Sequence, residues 1–165
     1  METVKVLFVC MGNICRSPTG EGVFKHFVDE RGLNARIQID SAGTIGYHSG
    51  APADARMSEA AARRGYQLLS TARQVDQSDL DEFDLIVAMD GDNLRALEAM
   101  AGGPREDIRL LGSFLPGATG NHDAPSVPDP YYGGAAGFEQ VLDMIESACD
   151  ALLQHCKGLC KDANW

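Results

Sequence analysis

Residues 4–18 read Val4-Lys5-Val6-Leu7-Phe8-Val9-Cys10-Met11-Gly12-Asn13-Ile14-Cys15-Arg16-Ser17-Pro18. The first six residues of this stretch are as dense in apolar side chains as a parallel strand that is covered on both faces. A strand here would deliver Cys10 to a short loop, and Ser17 followed by Pro18 is typical of the start of a helix. Five residues between Cys10 and Arg16 allow the backbone to curl with its N–H groups inward, which makes an anion-binding nest at a helix N-terminus.

The side chains of this loop predict phosphate chemistry. The planar guanidinium of Arg16 can hold two oxygens of a phosphate at once. The nest and the helix dipole favour the thiolate form of Cys10, which is then a nucleophile inside a phosphate cradle. The same spacing also recurs by chance, in which case Cys10 is an ordinary buried cysteine and Arg16 a surface residue. The strand before the loop, the Gly12-Asn13 bend within it and the helix start after it favour the phosphate loop.

The composition is that of a globular chain without a membrane segment. The chain has 165 residues, of which 44% are hydrophobic and 23% charged, and we expect residues 1–165 to form a single domain. No apolar run approaches the roughly 20 residues that cross a bilayer, and the first residues lack a basic signal segment, which predicts a cytoplasmic protein. A net charge of −10 argues against nucleic acid and against an anionic membrane surface as partners. Five cysteines, an odd number, do not suggest a disulfide framework.

Four strand-like segments alternate with helix-like segments along the chain. The strands are predicted at 4–9, 37–40, 84–89 and 108–111, and the helices after the first strand, at 52–64, at 92–100 and over an apolar face from Phe138 to Leu153. This order predicts an α/β fold with a four-stranded parallel sheet, doubly wound with helices on both faces, and a phosphate-binding loop after strand 1. Because ligands of such sheets bind beyond the carboxyl ends of the strands, we expect Cys10, Ser41 and Asp90 at one end of the molecule.

The nine residues from Cys10 to Pro18 resemble the active-site signature of the low-molecular-weight protein tyrosine phosphatases. The resemblance continues, in order, through Asp40-Ser41-Ala42-Gly43-Thr44, Ala72-Arg73-Gln74, Asp84-Leu85-Ile86-Val87-Ala88-Met89-Asp90 and Val127-Pro128-Asp129-Pro130-Tyr131-Tyr132. It implies an enzyme that hydrolyses phosphotyrosine, an aryl phosphate monoester, through a cysteinyl-phosphate intermediate. Cys10 would be the nucleophile, Arg16 the phosphate clamp and Asp129 the general acid and then the general base. It also implies a monomer that acts on tyrosine-phosphorylated proteins, with a cognate tyrosine kinase as a further candidate partner and with no cofactor or metal.

Asp129 lies in residues 112–134, a stretch rich in glycine and proline that shows neither a helix nor a strand period. Segments of that length within a compact domain usually frame a site. On the residues alone, an aspartate beside Pro130 is most simply a solvated side chain in a turn, so the general-acid role comes from the resemblance. Tyr131 and Tyr132 add flat apolar surfaces next to the carboxyl group, which suit an aryl substrate.

The phosphate loop and its support comprise Met11, Gly12, Asn13, Ile14, Cys15, Ser17 and Ser41. Asn13 tolerates the left-handed backbone conformation that a tight curl requires, and the resemblance ties it to Ser41. Ser17 is expected to cap the helix, and the resemblance also makes it a hydrogen-bond donor to the Cys10 thiolate. Cys15 is either a small apolar loop residue or, by resemblance to the paired loop cysteines of the family, the residue that traps oxidised Cys10 as a disulfide.

Substrate specificity is expected from side chains at the mouth of the pocket. Met11 and Ile14 have apolar side chains that can line it. Tyr47 either flanks the substrate ring, as an aromatic residue near this position often does in the family, or is a surface tyrosine. Arginine phosphatases of the same fold have threonine where Ile14 stands, so Ile14 favours phosphotyrosine.

The chain departs from the family pattern at two positions. Many members have a histidine two residues before the Ala-Arg-Gln motif, and this histidine is bonded to the loop serine. Here that position is Ser70, whose shorter side chain leaves the support of Ser17 open. The first helix also has Gly20 where alanine is usual, at a cost of about 1 kcal/mol in helix propensity.

Other functions on this fold remain open alternatives to phosphotyrosine hydrolysis. One is protein-arginine phosphatase activity, and another is arsenate reduction, which needs a relay of cysteines able to reach Cys10. No cysteine lies between Cys15 and Cys149. A non-catalytic phosphate-binding module would need neither the Cys10 thiolate nor an acid such as Asp129.

Cysteines and histidines outside these motifs are expected to have no catalytic role. The three cysteines near one face of the last helix are interpreted as buried structural thiols rather than as metal ligands: Cys149, Cys156 and Cys160. Three histidines without a partner pattern are expected to face solvent: His26, His48 and His122.

Overall fold

The computed structural model describes residues 3–160 and 165, and a four-stranded sheet forms its centre. β1 is Val4–Cys10, β2 is Ile37–Gly43, β3 is Leu85–Ala88 and β4 is Ile108–Leu110. The strand order is β2-β1-β3-β4, and every neighbouring pair is parallel. The predicted α/β fold with a four-stranded parallel sheet is therefore confirmed. β2 runs beyond its predicted end because residues 41–43 continue to pair with residues 8–10, which brings Ser41 beside the loop.

Helices follow the strands in the predicted alternation. In the described residues they are α1 (Arg16–Glu30), α2 (Ala55–Arg63), α3 (Asp79–Glu82), α4 (Gly91–Ala101) and α5 (Ala135–Leu159). The one-turn helix α3 was not predicted. Helix α2 begins later than expected from Pro52 because the Asp54 side chain caps it, accepting hydrogen bonds from the N–H groups of Arg56 and Met57. None of these helices is long and apolar enough to cross a membrane.

Most of the segment 112–134 is irregular, as expected. Its start departs from that expectation, because Leu111–Phe114 form one turn of 3-10 helix directly after β4. The remainder contains neither helix nor strand, and the Asn121 side chain in it is bonded to the N–H of Leu110 and the carbonyl of Ile108 in β4. The N–H of Val127 donates to the carbonyl of Met89 at 2.8 Å, so the segment is fixed just before Asp129 at the carboxyl end of β3.

The alternation of side chains along β1 divides the core between the two faces of the sheet. Val6 and Phe8 pack in one cluster with α1, α2 and α5. Leu7 and Val9 pack in a second cluster with α3 and α4. The sheet is therefore covered by helices on both faces, which is the doubly wound arrangement that the sequence predicted.

Gly20 lets α1 lie unusually close to the sheet. A Cβ atom at this position would lie 2.7 Å from Cδ1 of Phe8 and 2.9 Å from Cε of Met89, both of which are closer than Cβ contacts allow. Alanine at this position is thus incompatible with Phe8 and Met89 as they are placed here. The close packing explains why glycine is used despite its cost to the helix.

Candidate active site

The loop from Cys10 to Arg16 curls at the carboxyl end of β1. Asn13 has a φ of 58°, the left-handed conformation predicted for it. The carbonyl oxygens of Cys10, Met11 and Ile14 accept hydrogen bonds of 2.8–3.1 Å from the N–H groups of residues 44, 45 and 54. Carbonyl groups that are bonded to the surrounding segments leave the loop N–H groups on the inner side of the curl, as an anion nest requires.

A cavity of about 330 Å³ lies over this loop. It is lined by residues from three separate parts of the chain: Cys10, Met11, Gly12, Ile14, Cys15, Arg16, Ile45, Tyr47, His48, Asp129, Tyr131 and Tyr132. All the residues predicted for the site are on this lining except Asn13, Ser17 and Ser41, which lie behind the loop. A larger depression of about 630 Å³ near Arg109 and His155 contains no cysteine.

Arg16 is held rigidly on one side and faces the cavity with the other. It is only 3% exposed, and its Nη1 donates to Asp90 Oδ2 at 2.6 Å and to the carbonyl of Val127 at 3.0 Å. Its Nη2 lies 3.7 Å from Asp129 Oδ2, which is too far for a hydrogen bond. Asp90 is itself fixed because its Oδ1 accepts from Asn93 N at 2.8 Å and so caps α4. The Nη2 edge of the guanidinium is therefore available for an anion in the cavity.

Aromatic side chains surround the mouth of the cavity. The Tyr131 and Tyr132 rings meet edge to face at 4.9 Å between their centres. The His48 ring lies 4.9 Å from that of Tyr47 and 6.4 Å from that of Tyr131. His48 was expected to face solvent, and it is half-buried, because it packs over Gly12 and lines one side of the cavity. The resulting slot suits a flat ring.

Similarity to known proteins extends over nearly the whole chain. The model of the low molecular weight phosphotyrosine protein phosphatase family matches residues 5–163. The chain belongs to this family. A relative from Streptomyces coelicolor named low molecular weight protein-tyrosine-phosphatase is 47% identical over 153 residues, which are 92% of each chain.

Two solved structures of the same fold add to this similarity. The crystal structure of YfkJ from Bacillus subtilis has a TM-score of 0.87 at 38% identity and covers 98% of this chain and 99% of its own. The crystal structure of DARP, described as a Drosophila arginine phosphatase, has a TM-score of 0.82 at 36% identity over 93% and 98%. The family consists of enzymes, and relatives from Bacillus subtilis and Homo sapiens carry the names of protein-tyrosine and phosphotyrosine protein phosphatases, so this chain is an enzyme of the low-molecular-weight phosphatase family.

A chain of hydrogen bonds runs behind the nucleophile position of this phosphatase. Ser17 Oγ lies 3.0 Å from Cys10 Sγ. The Asn13 amide donates one N–H to Ser17 Oγ at 2.7 Å and the other to Ser41 Oγ at 3.0 Å. The Ser41 hydroxyl donates in turn to Glu21 Oε1 at 2.6 Å. Because Ser17 and Ser41 accept from Asn13, the hydroxyl proton of each serine is free for another acceptor, which is Glu21 for Ser41 and either Cys10 Sγ or the carbonyl of Ala42 for Ser17.

The predicted helix-capping role of Ser17 was wrong. The residue at the N-cap of α1 is Cys15, and no side chain caps this helix. The Ser17 hydroxyl instead faces Cys10 Sγ, with the carbonyl of Ala42 at 3.3 Å as its other acceptor. Within residues 3–160, Ser70 makes no hydrogen bond to Ser17 or Ser41. Glu21 instead accepts the hydrogen bond from the Ser41 hydroxyl.

Cys15 shares the cavity with Cys10. Burial raises the pKa of the Cys15 thiol from 9.0 to about 12, and the negative charges of Asp54, Cys10 and Asp129 raise it further. Cys15 is therefore a neutral thiol at physiological pH. Across the described part of the chain, no group of three or more histidine, cysteine or acidic side chains is arranged to hold a metal ion.

Several residues of this environment, Ile45 among them, were not identified from the sequence as parts of the site. Asp90 was expected only at the same end of the sheet as Cys10 and Ser41. Its place as the last residue of the motif at 84–90 was the signal that could have identified it as the partner of Arg16. His48, Glu21 and Arg56 gave no signal, because each reaches the site through contacts between segments far apart in the sequence. His26 and His122 do lie at the surface, bonded to Glu30 and Glu98.

Proposed function

We propose that this enzyme hydrolyses phosphotyrosine in proteins through a cysteinyl-phosphate intermediate, and that residues 1–165 act as one catalytic domain. The observation that carries the proposal is that Cys10, the loop residues after it, Arg16 and Asp129 line one cavity, with Arg16 Nη2 3.7 Å from Asp129 Oδ2. Phosphate is a tetrahedral dianion, and such a cradle holds three of its oxygens while the fourth carries the leaving group.

In the first step the Cys10 thiolate attacks the phosphorus atom. The S–P bond forms, the P–O bond to the tyrosyl group breaks, and Asp129 donates a proton to the departing phenol oxygen. Arg16 and the loop N–H groups stabilise the charge on the oxygens that remain on phosphorus. A general acid placed in this way contributes roughly 10²–10⁴-fold to the rate.

In the second step water attacks the cysteinyl-phosphate. Asp129, now ionised, takes a proton from the water, the new P–O bond forms, and the S–P bond breaks to give inorganic phosphate. The Ser17 hydroxyl stabilises the departing Cys10 thiolate, since the hydrogen-bond chain from Glu21 leaves its proton free to point at Sγ.

The cavity supports a tyrosyl substrate rather than an arginyl one. Ile14 makes one side of the mouth apolar, and Tyr47, His48 and Tyr131 provide ring surfaces around it. An aryl ester can stack in this slot, whereas a guanidinium phosphate would lose hydrogen bonds to water there without replacement. We further propose that the enzyme works as a monomer in the cytoplasm, without a cofactor, opposite a cognate tyrosine kinase.

The experiment compares three chemistries on one protein. We expect turnover of phosphotyrosine peptides, much slower release of phosphate from phosphoarginine peptides and no arsenate reduction with thiol reductants. Acid quenching of the wild type with labelled substrate should trap a phosphoenzyme that Cys10→Ser does not form. Cys149→Ser, at a buried thiol outside the cavity, should trap as much as the wild type. Faster turnover of phosphoarginine, or phosphoenzyme in Cys10→Ser, would contradict the proposal.

A further inference from the structure

Arg56 connects the helix beside the cavity to the segment that bears Asp129. It lies in the first turn of α2, and its Nη2 donates to the carbonyl of Tyr131 at 3.1 Å. Its guanidinium carbon also lies 5.3 Å from the centre of the Tyr131 ring and 5.0 Å from that of Phe138. Arg56 therefore fixes both the backbone and the ring of Tyr131.

Asp54 holds the Arg56 side chain in this position. Nε and Nη2 of Arg56 donate to the two carboxylate oxygens of Asp54 at 3.2 and 3.0 Å, a bidentate pair. The backbone N–H of Asp54 donates to the carbonyl of Ile14 in the phosphate loop at 2.8 Å. A continuous set of hydrogen bonds thus runs from the phosphate loop through Asp54 and Arg56 to Tyr131.

The position of Asp129 depends directly on Tyr131. The N–H of Tyr131 donates to Asp129 Oδ1 at 3.1 Å, so the carboxyl group moves with the backbone of Tyr131. Asp129 is also attracted by the charge of Arg16, whose Nη2 lies 3.7 Å from Asp129 Oδ2. A phosphate dianion in the cavity takes up Nη2, and the link from Arg56 to Tyr131 then remains to hold the tip of the segment.

We propose that Arg56 is a positioning residue that keeps the Asp129–Tyr131 turn over the cavity while phosphate occupies Arg16. The inference rests on the proposed role of Asp129 as general acid. Arg56 touches neither the substrate nor the reacting atoms. It acts through the carbonyl of Tyr131, and its effect is therefore confined to the step in which Asp129 delivers its proton.

The test measures kcat/KM, which reports the steps up to the first phosphoryl transfer, for two aryl phosphates. Phenyl phosphate has a basic leaving group that needs the proton, whereas a dinitrophenyl phosphate leaves as a stable anion. We expect Arg56→Ala to lose about tenfold on phenyl phosphate, a part of the general-acid contribution, and little on the dinitrophenyl ester. Retained activity on the latter shows that the variant is folded. Arg56→Lys, which keeps one donor for the Tyr131 carbonyl, should recover part of the loss.

Two comparisons make the result specific. Arg63→Ala removes an exposed arginine from the same helix, where it pairs with Glu59 and Glu139, and should match the wild type on both esters. In an Asp129→Ala background, Arg56→Ala should cause no further loss, because the group it positions is gone. Equal losses on both esters, or additive losses in the double variant, would overturn the inference. If Asp129→Ala itself shows no leaving-group dependence, the proposed acid is wrong, and that outcome is separate from the Arg56 result.

Discussion

Glu21 accepts a hydrogen bond of 2.6 Å from the Ser41 hydroxyl and one of 2.9 Å from Lys25, and so is the carboxylate to which the polar chain from Cys10 Sγ leads. In many relatives a histidine supports the loop serine, and Ser70 stands at that position here. The Asn13 amide nitrogen has only N–H groups to offer, so Ser41 accepts from Asn13 and donates its own proton to Glu21. Ser17 likewise accepts from Asn13, and its own proton has Cys10 Sγ and the carbonyl of Ala42 as acceptors within reach.

Replacing Glu21 tests this dependence. Glu21→Ala leaves the Ser41 hydroxyl without its charged acceptor, and we expect a loss of about 1.5–3 kcal/mol in the free energy of unfolding together with slower turnover. Glu21→Gln keeps an acceptor oxygen and should lose less of both. Urea unfolding and single-turnover rates measure the two effects. Glu30→Ala, at an exposed position of the same helix, should change neither, and wild-type turnover in Glu21→Ala would show that the chain ends elsewhere.

Asp90 serves both as the partner of Arg16 and as the cap of α4, and two substitutions separate these roles. Asp90→Asn keeps an oxygen for the N–H of Asn93, so α4 stays capped, but removes the charge 2.6 Å from Arg16. We expect kcat/KM to fall by about 10- to 100-fold, as a charged hydrogen bond of about 1.5–3 kcal/mol implies.

Asp90→Ala should show the same kinetic loss and a further cost of about 1 kcal/mol in stability from the missing cap. Thermal unfolding distinguishes the two variants. Asp92→Ala, an exposed carboxylate on the same helix, serves as the control and should keep full turnover. The assignment fails if Asp90→Asn is as active as the wild type.

The phosphate loop was predictable because its signal is local. A strand, a cysteine, a tight bend at Asn13 and a helix start follow one another within fifteen residues, and each has its own residue preference. The parallel sheet with helices on both faces was predictable for a similar reason, because apolar strands alternating with helices permit few topologies; the order of its strands was not predicted. The start of α2 was not predictable from Pro52. The side chain of Asp54 accepts two backbone hydrogen bonds and so fixes the start of the helix after Asp54.

The rest of the site depends on contacts that no short pattern records. Glu21 lies one turn into α1 and reaches Ser41 only because β2 extends past its predicted end. Arg56 meets Tyr131 across 75 positions of the sequence. Serine is a residue type that often caps helices, but the hydroxyl of Ser17 lies within hydrogen-bond distance of the sulfur atom of Cys10 and does not cap α1. A tertiary contact therefore overrides the local preference at this position.

Buried thiols predict a loss of stability at alkaline pH. Burial raises the pKa of Cys149 and of Cys156 from 9.0 to about 12. Between these values the thiols of the unfolded chain ionise while those of the folded protein stay protonated. The contribution of each thiol to the free energy of unfolding is therefore fully present below pH 9 and is lost as the pH rises towards 12. Each thiol contributes up to about 1.4 kcal/mol per pH unit to the slope.

Urea unfolding from pH 7 to 11 measures this slope. Cys149→Ala creates a small cavity and lowers stability at every pH, but it should also flatten the alkaline slope, because one titrating group is lost. The other residues that change charge in this range are common to both proteins, although the Cys149 thiolate also raises the pKa of Tyr66. Identical slopes in the variant and the wild type would show that Cys149 ionises without cost in the folded state.

The last prediction concerns Cys15, whose neutral thiol lies in the cavity with Cys10. Peroxide converts the Cys10 thiolate to sulfenic acid, and condensation with the Cys15 thiol forms the disulfide and releases water. The raised pKa of Cys15 slows this condensation, since the thiolate is the attacking form. Oxidation of Cys10 removes one of the negative charges that raise the pKa of Cys15. Higher pH should speed the condensation further, because more of Cys15 is then in the thiolate form.

We therefore expect wild-type enzyme, exposed to peroxide and then to a thiol reductant, to recover its activity, and to recover more completely at about pH 8.5 than at about pH 7. Cys15→Ser has no thiol to trap the sulfenic acid and should pass on to irreversibly oxidised, inactive forms. Cys156→Ser, at a buried thiol outside the cavity, should behave as the wild type. Equal recovery of Cys15→Ser and the wild type would leave Cys15 as a packing residue of the loop, and the protection of Cys10 would have to come from another source.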